Sequence, residues 1–150
     1  MSATIRPARR GDLSAVQALV EAGFARYVAE IGRRPAPMDH DYAAALSAGH
    51  LYVAEADGKI AAVMVTRDLG SFWEIDVLAV DPARQAQGLG GQLLAFAETR
   101  ARERSAEALQ LHTNAAMRAA QAFYRQHGFV TVERRWHKGY DRIFLRKRLA

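Results

Sequence analysis

The chain contains neither cysteine nor a long apolar run. The absence of cysteine excludes a disulfide framework, a thiolate nucleophile and cysteine-based zinc or iron–sulfur sites. No apolar stretch approaches the roughly 20 residues that a membrane-spanning helix needs, and the N-terminal sequence lacks the apolar segment of a secretory signal. We therefore expect a soluble, cytoplasmic protein with no membrane partner.

The chain is basic, but its charge alone does not identify a partner. It has 150 residues, half of them hydrophobic, and a net charge of +5. This composition can bury one sizeable core, so we expect a single domain over residues 1–150. The basic residues are scattered apart from the C-terminal RIFLRKRL, and no recognised nucleic-acid motif accompanies them. We therefore predict no nucleic-acid partner.

Apolar periodicity and turn residues predict an order of strands and helices. Strands are predicted at Ala3–Pro7, Leu51–Glu55, Ile60–Val65, Phe72–Val80, Leu109–Thr113, Phe129–Glu133 and Arg142–Arg146. Helices are predicted from Asp12 as N-cap to Ile31, from Asp39 or Asp41 to Gly49, from Leu89 to Glu103, and from Asn114 as N-cap to Gly128. The unit from Phe72 to Thr113 is a parallel crossover. The predicted fold class is α/β, with a twisted mixed sheet of about seven strands and helices on both faces.

The segment from Val80 to Leu94 has the composition of an anion-binding site. Its sequence, VDPARQAQGLGGQLL, leaves a strand, turns at Pro82 and enters a helix with glycines at positions 88, 90 and 91. The first backbone N–H groups of a helix lack intrahelical partners, and the helix dipole adds about half a positive charge, so phosphate oxygens are favoured ligands. A tight strand-to-helix connection that binds nothing would explain isolated glycines equally well.

Two common phosphate motifs do not fit this segment. A Walker P-loop requires Gly-Lys-Ser/Thr, and the segment contains no lysine. A Rossmann fingerprint requires a third glycine where Leu93 stands.

The segment resembles motif A of the GNAT superfamily of N-acetyltransferases, V-x-P-x-x-[QR]-x-x-G-x-[GA]. The matching residues are Val80, Pro82, Gln85, Gly88 and Gly90. The sequence from Thr113 to Phe129 is similar to the family's second signature, a helix that carries Phe-Tyr and ends in Gly-Phe. Ala86 and Gln87 depart from the glycine and the basic residue of many members. The missing phosphate cation would have to come from Arg84 or another basic residue.

The resemblance implies an acetyl-CoA-dependent N-acetyltransferase in which a primary amine attacks the thioester directly. It implies cofactor binding by the strand residues Leu78, Ala79 and Val80, which pair with the pantetheine arm, and by the loop residues Gln85, Ala86, Gln87, Gly88, Leu89, Gly90 and Gly91, which hold the pyrophosphate. We add Asn114 to this set. A small metabolite or amino acid is the predicted acceptor. A protein or peptide amine, and a non-catalytic acyl-CoA-binding domain, remain as alternatives.

Two residues are predicted to be catalytic. The resemblance places Tyr124 at the family's general-acid position, where a phenol protonates the leaving thiolate; packing in the core is the alternative. Glu74 is the first choice for the base that deprotonates the amine, and Asp76 lies two residues further along the same strand. An ion pair with an arginine explains these carboxylates equally well, and a water wire to a base is a further alternative.

The remaining polar residues give weaker expectations. His112 is interpreted as structural, and no metal site is predicted because His40, His50, His127 and His137 lack metal-ligand spacing. The acceptor site is predicted to include the 33–41 loop and the end of the chain, where an acidic substrate group would find Arg33, Arg34, Arg134 and Arg135. The exposed final strands and Trp136 suggest a homodimer.

Overall fold

The computed structural model describes residues 3–149, which form a seven-stranded mixed sheet in the order β1-β2-β3-β4-β5-β7-β6. The strands are β1 Thr4–Pro7, β2 Leu51–Ala56, β3 Lys59–Asp68, β4 Phe72–Val80, β5 Ala108–Asn114, β6 Val130–His137 and β7 Tyr140–Arg148. The α-helices are α1 Leu13–Phe24, α2 Tyr27–Ile31, α3 Tyr42–Ser47, α4 Leu89–Glu103 and α5 Arg118–Gln126. Short 3-10 turns occupy Arg10–Asp12, Ala36–Asp39 and Pro82–Gln87. The predicted fold class is confirmed.

Local turn chemistry produces the antiparallel parts of the sheet. Asp57 and Gly58, with φ 54° and 74°, connect β2 to β3, and Lys138 and Gly139, with φ 53° and 81°, connect β6 to β7. Two successive residues with positive φ match the twist of a hairpin. Because α4 carries the chain across the sheet, β4 and β5 are parallel.

A core lies on each face of the sheet, as the alternation of side chains along a strand requires. On β3, Ala62 and Met64 pack towards the α4 side, whereas Val63 and Val65 pack towards the α1 side. The helices complete the two cores with apolar side chains, which are Leu93, Ala97 and Ala101 of α4, and Val16 and Val20 of α1.

The parallel pairing of β4 with β5 covers only half of each strand. It runs from Phe72 opposite Ala108 to Ile75 opposite Leu111. Beyond that point β4 continues to Val80 and β5 to Asn114 without pairing to each other. One edge of β4 is therefore open in the middle of the sheet.

A β-bulge at Asp76 explains where the two strands separate. On the other side of β4, Val65 pairs with Val77 and Thr66 with Ile75, so Asp76 is the extra residue. A bulge bends its strand and increases the twist. The bulge also breaks the alternation of side chains along β4. Ile75 and Val77 would share a face in a regular strand, but Ile75 belongs to the α4-side core and Val77 to the α1-side core.

The structure corrects two local predictions and refines a third. The long first helix is interrupted at Ala25 and Arg26, which separate α1 from α2 while keeping helical dihedral angles. Asp12 is the N-cap residue of α1, as predicted, but its side chain makes no capping hydrogen bond. Its carboxylate instead accepts from the Arg9 N–H at 2.7 Å and pairs with Arg6 at 2.8 Å.

The N-cap of α5 is Met117 rather than Asn114. Asn114 remains in β5, and its Oδ1 accepts from the Ala116 N–H at 2.8 Å, which makes a local turn before the helix. Of the two candidates for the start of α3, Asp41 is the cap, since its carboxylate accepts from the Ala44 N–H at 3.0 Å. Among the described helices, none is long and apolar enough to cross a membrane.

Candidate active site

A cavity of about 780 Å³ lies where β4 and β5 separate. Its walls include the second half of β4, the end of β5, one face of α5 and the end of α1. Several predicted site residues line it, namely Glu74, Leu78, Ala79, Val80, Gln85, Gly90, Asn114 and Tyr124. Ala86, Gln87, Gly88, Leu89 and Gly91 are not part of its wall, but they continue directly from Gln85 around the start of α4.

The start of α4 has backbone donors without a capping side chain. Asp81 caps the preceding 3-10 turn by accepting from the Ala83 N–H at 3.0 Å. Gly88 is the N-cap of α4, no side chain caps the helix, and its first turn has no acidic residue. Gly88 has φ 76°, and a Cβ built on it would meet nothing within 4 Å. The arrangement leaves open space in front of a positive helix end.

Gly90 and Gly91 have a packing role that the sequence did not reveal. A Cβ on Gly90 would lie 2.8 Å from Phe123 Cζ, and one on Gly91 would lie 3.0 Å from His127 Nε2. Both neighbours belong to α5 or its C-terminal end. These two glycines therefore allow α5 to approach the start of α4, in addition to any role towards a ligand.

Glu74 and Asp76 converge on Arg67. Arg67 Nε donates to Asp76 at 2.6 Å, and its Nη2 donates to Glu74 at 3.1 Å. The second Glu74 oxygen accepts from Gln110 at 3.2 Å. Burial raises the pKa of Glu74, and the adjacent Asp76 raises it further. The ion pair with an arginine, which was the alternative to catalysis, is thus present. Glu74 nevertheless also lines the cavity.

His112 lies beside these carboxylates. Ligand atoms of Glu74, Asp76 and His112 come within 4.8 Å of one another. Arg67 binds both carboxylates, so this ion pair is enough to explain why they lie close together. Burial lowers the pKa of His112 to about 4, with a further contribution from Arg142, so the imidazole is neutral near pH 7.

Tyr124 is half-buried in the cavity wall. Its ring packs edge-on against Phe123 and Phe129, with centroids 5.3 and 5.9 Å away. Burial raises the pKa of its phenol, which therefore keeps its proton near neutral pH. Tyr124 therefore packs against other aromatic rings, as the alternative to a catalytic role supposed, and it also has the protonation state that a general acid needs.

The four arginines predicted to bind an acceptor group are engaged elsewhere. Arg34 pairs with Glu21 and Asp39, Arg134 with Asp141, and Arg135 with Glu133. Arg33 donates to the Gly139 carbonyl at 3.0 Å and lies over the Tyr140 ring.

Arg33 and Arg34 nevertheless contact Tyr140, which lines the cavity. The Tyr140 hydroxyl donates to the Arg34 carbonyl at 2.7 Å, and the Arg33 guanidinium carbon is 4.0 Å from the centroid of the Tyr140 ring. These contacts join the 32–35 loop to the β6–β7 turn beside the cavity. We call this contact the loop bridge.

The sequence comparisons agree with this geometry. Residues 16–129 match the acetyltransferase (GNAT) family. The chain belongs to that family. The resemblance found in the sequence and the predicted enzyme class, a transferase, are therefore confirmed.

Individual relatives are similar over different extents. A curated aminoalkylphosphonate N-acetyltransferase of Salmonella typhimurium is 42% identical over 65 residues, which are 43% of this chain and 42% of that protein. The PaiA N-acetyltransferase of Thermoplasma acidophilum, solved with coenzyme A, has a TM-score of 0.84 at 16% identity and covers 99% of both chains. The acetyltransferase YncA of Salmonella typhimurium, solved with acetyl-CoA, has a TM-score of 0.72 at 18% identity, covering 100% of this chain and 95% of that one. The two structural likenesses establish the fold.

Two residues of the cavity were missed at the level of sequence. Arg67 could have been found from the hairpin register, because it is the Cα partner of Glu74 across β3 and β4. Arg142 lines the cavity with a side chain buried by the sheet, and no local pattern marks it.

Proposed function

We propose that this GNAT protein transfers the acetyl group of acetyl-CoA directly to a primary amine of a small molecule. The observation that carries the proposal is the open edge of β4, which ends at the uncapped start of α4 and faces a cavity of about 780 Å³. Family membership supports acetyl-CoA as the co-substrate.

The residues present fit the two polar parts of the co-substrate. Leu78, Ala79 and Val80 pair with β3 on one side, and the open edge of β4 on the other side offers strand-like hydrogen bonds to an amide-containing arm. The amides that follow Gln85, around Gly88, offer donors to a pyrophosphate, and the open space at Gly88 admits it. Bound acetyl-CoA would supply the thioester that the amine attacks.

The chain's own residues would handle the protons. Glu74 removes the proton from the substrate ammonium, directly or through water, because each of its oxygens keeps a lone pair beyond the bond to Arg67 or Gln110. The neutral amine forms the new C–N bond, the C–S bond breaks, and Tyr124 protonates the thiolate that leaves. Asp76 is the alternative base.

The loop bridge favours a small acceptor over a peptide. The contacts of Arg33 with Gly139, and of Tyr140 with Arg34, would limit access to the cavity on the side of the β6–β7 turn. A peptide needs an open groove there, whereas a metabolite fits an enclosed site. The name of the curated Salmonella relative, an aminoalkylphosphonate N-acetyltransferase, also supports a small acceptor.

The test is thiol release from acetyl-CoA with a panel of small primary amines and a panel of peptides with free N-termini. We expect amine-dependent release, with kcat/KM at least tenfold higher for the best small amine than for any peptide. Preference for a peptide would support the alternative acceptor class. Binding of acetyl-CoA without release for any amine would support a non-catalytic domain.

A further inference from the structure

Arg142 is a buried cation in the wall of the cavity. Arg142 lies on β7, where it is the cross-strand partner of Asn114 on β5 and of Arg135 on β6, and the residue is only 7% exposed. Burial lowers its pKa, which shows that the site is unfavourable for its charge. A charge buried in this way needs a compensating partner.

The direct contacts of Arg142 within the protein are with uncharged groups, and Glu74 and Asp76 stabilise its charge only from a distance. Its Nη1 donates to His137 Nδ1 at 2.7 Å, and its guanidinium carbon lies 5.4 Å from the centroid of the Tyr140 ring. Burial and the guanidinium lower the pKa of His137, so this partner is a neutral imidazole. Over residues 3–149, no salt bridge joins Arg142 to a carboxylate.

The nearest acidic groups are committed to other arginines. Asp141, the preceding residue, pairs with Arg134 at 2.8 Å. Glu74 and Asp76 hold Arg67. A guanidinium has five N–H donors in a fork that fits two oxygens of a carboxylate or phosphonate. His137 occupies only one of the nitrogens.

The distance between Arg142 and the proposed base limits the size of a ligand that reaches both. The His112 ring is 6.1 Å from the His137 ring, which contacts Arg142, and His112 also lies against Glu74 and Asp76. The imidazole rings of His112 and His137 thus lie between Arg142 and the carboxylates of Glu74 and Asp76. Lys138 adds a second positive charge to the same wall.

We propose that Arg142 binds an oxyanion, carboxylate or phosphonate, at the far end of a short aminoalkyl acid whose amine lies at Glu74. The inference rests on the proposed function and names its substrate class. The anion supplies the directly bound acidic partner that Arg142 lacks, and anchoring it directs the amine towards the thioester.

The test compares three acceptors of similar length, which are 3-aminopropanoate, 2-aminoethylphosphonate and propylamine. They are assayed for thiol release with the native enzyme, Arg142→Gln, Arg142→Lys and the control Arg135→Gln. Arg135 is the cross-strand partner of Arg142 but its side chain is 44% exposed, and it pairs with Glu133. Calorimetric binding of acetyl-CoA and the thermal unfolding midpoint are measured for every variant.

We expect kcat/KM at least tenfold higher for one of the two acids than for propylamine. Arg142→Gln should remove this preference mainly through KM, Arg142→Lys should restore part of it, and Arg135→Gln should leave it unchanged. The better of the two acids identifies the anion. Because Arg142 has an unfavourable site, Arg142→Gln should keep or raise the unfolding midpoint and should still bind acetyl-CoA.

Other results would overturn the proposal. An equal kcat/KM for propylamine and both acids would contradict the anion subsite and leave acetyltransfer intact. The same holds if Arg142→Gln and the native enzyme have equal kcat/KM values for the acids. A fall in the unfolding midpoint of Arg142→Gln, with the same loss for all three amines, assigns Arg142 a structural role. Failure of the native protein to bind acetyl-CoA would instead count against the proposed function itself.

Discussion

Tyr124 combines a packing surface with a hydroxyl that the proposed chemistry needs. Tyr124→Phe keeps the ring contacts with Phe123 and Phe129 and removes only the hydroxyl. General acid catalysis typically contributes about 10²–10⁴-fold, so we expect kcat to fall by at least about 10²-fold. Steady-state thiol release measures this effect.

Thermal unfolding provides the control for Tyr124→Phe. The midpoint should stay close to that of the native protein, because the apolar contacts remain. An unchanged kcat together with a lower midpoint would show that Tyr124 serves the core alone.

Glu74 gives a prediction about pH. Burial raises the pKa of Glu74 above its ordinary value, and the base must be ionised to act. Because Glu74 takes the proton from the bound ammonium, log(kcat/KM) should be independent of pH between the pKa of Glu74 and that of the substrate amine. Below the pKa of Glu74 it should fall with a slope of one, which forms a steep limb at low pH. Glu74→Gln should lower kcat/KM by about 10²-fold and remove this limb.

Asp76→Asn is the matched control for Glu74→Gln, because both carboxylates bind Arg67. We expect a smaller loss and an unchanged steep limb at low pH. If Asp76→Asn removes the steep limb and Glu74→Gln keeps it, the base is Asp76. If neither variant changes the profile, the proton leaves by a water wire to another group.

Individual site residues could be predicted from the sequence where a motif requires a particular residue type. Tyr124 and Gly88 were found in that way, and both lie at the cavity or its rim. Arg67 and Arg142 were not found, because their meaning depends on which strands pair and in which register. The register of the β3–β4 hairpin would have identified Arg67 as the partner of Glu74. Arg142 is placed beside the cavity by its pairing with Asn114, which is distant in sequence, so no local pattern identifies it.

At the scale of elements, the bulge at Asp76 is the feature that the sequence did not predict. Alternation along Phe72–Val80 predicted a regular strand, whereas the extra residue moves Ile75 and Val77 into cores on opposite faces. The sequence does not reveal such a change of phase, because a central strand carries buried apolar residues on both faces. The resemblance to the family implied that a pantetheine arm pairs with Leu78, Ala79 and Val80, and the bulge gives a physical cause for the open edge at these residues.

The loop bridge leads to a prediction about acceptor binding. Tyr140→Phe removes the hydrogen bond to the Arg34 carbonyl and keeps the ring under Arg33. A net loss of about 1 kcal/mol for one hydrogen bond should loosen the loop, so we expect the KM for the acceptor to rise roughly fivefold. The Kd for acetyl-CoA, measured by calorimetry, should not change.

Tyr52→Phe is the control for the loop bridge. It removes a hydroxyl on β2, where the ring packs against Phe96 with a centroid distance of 5.2 Å. Equal effects of the two variants on acceptor KM would show that the bridge does not close the site. A weaker acetyl-CoA Kd in Tyr140→Phe would show that the bridge supports the co-substrate instead.

At the scale of the whole molecule, the order of elements was predictable because each strand and helix has its own periodicity and its own turn residues. The oligomeric state depends on one end of the sheet. β6 is an edge strand that exposes Val130, Val132 and Trp136. An edge with exposed apolar residues favours association, so a homodimer remains a prediction, as does a single domain over the full chain.

Binding of acetyl-CoA at the start of α4 is required by every step of the proposed reaction, and calorimetric titration tests this binding directly. Gly88 has φ 76° and open space in front of it, and asparagine and aspartate both tolerate positive φ. Gly88→Asn and Gly88→Asp therefore form a matched pair that differs in charge. A carboxylate about 4 Å from a phosphate costs roughly 1–4 kcal/mol.

We predict saturable binding by the native protein, a Kd within a few-fold of native for Gly88→Asn, and at least about tenfold weaker binding for Gly88→Asp. No binding by the folded native protein, or equal affinities for the two variants, would contradict the account.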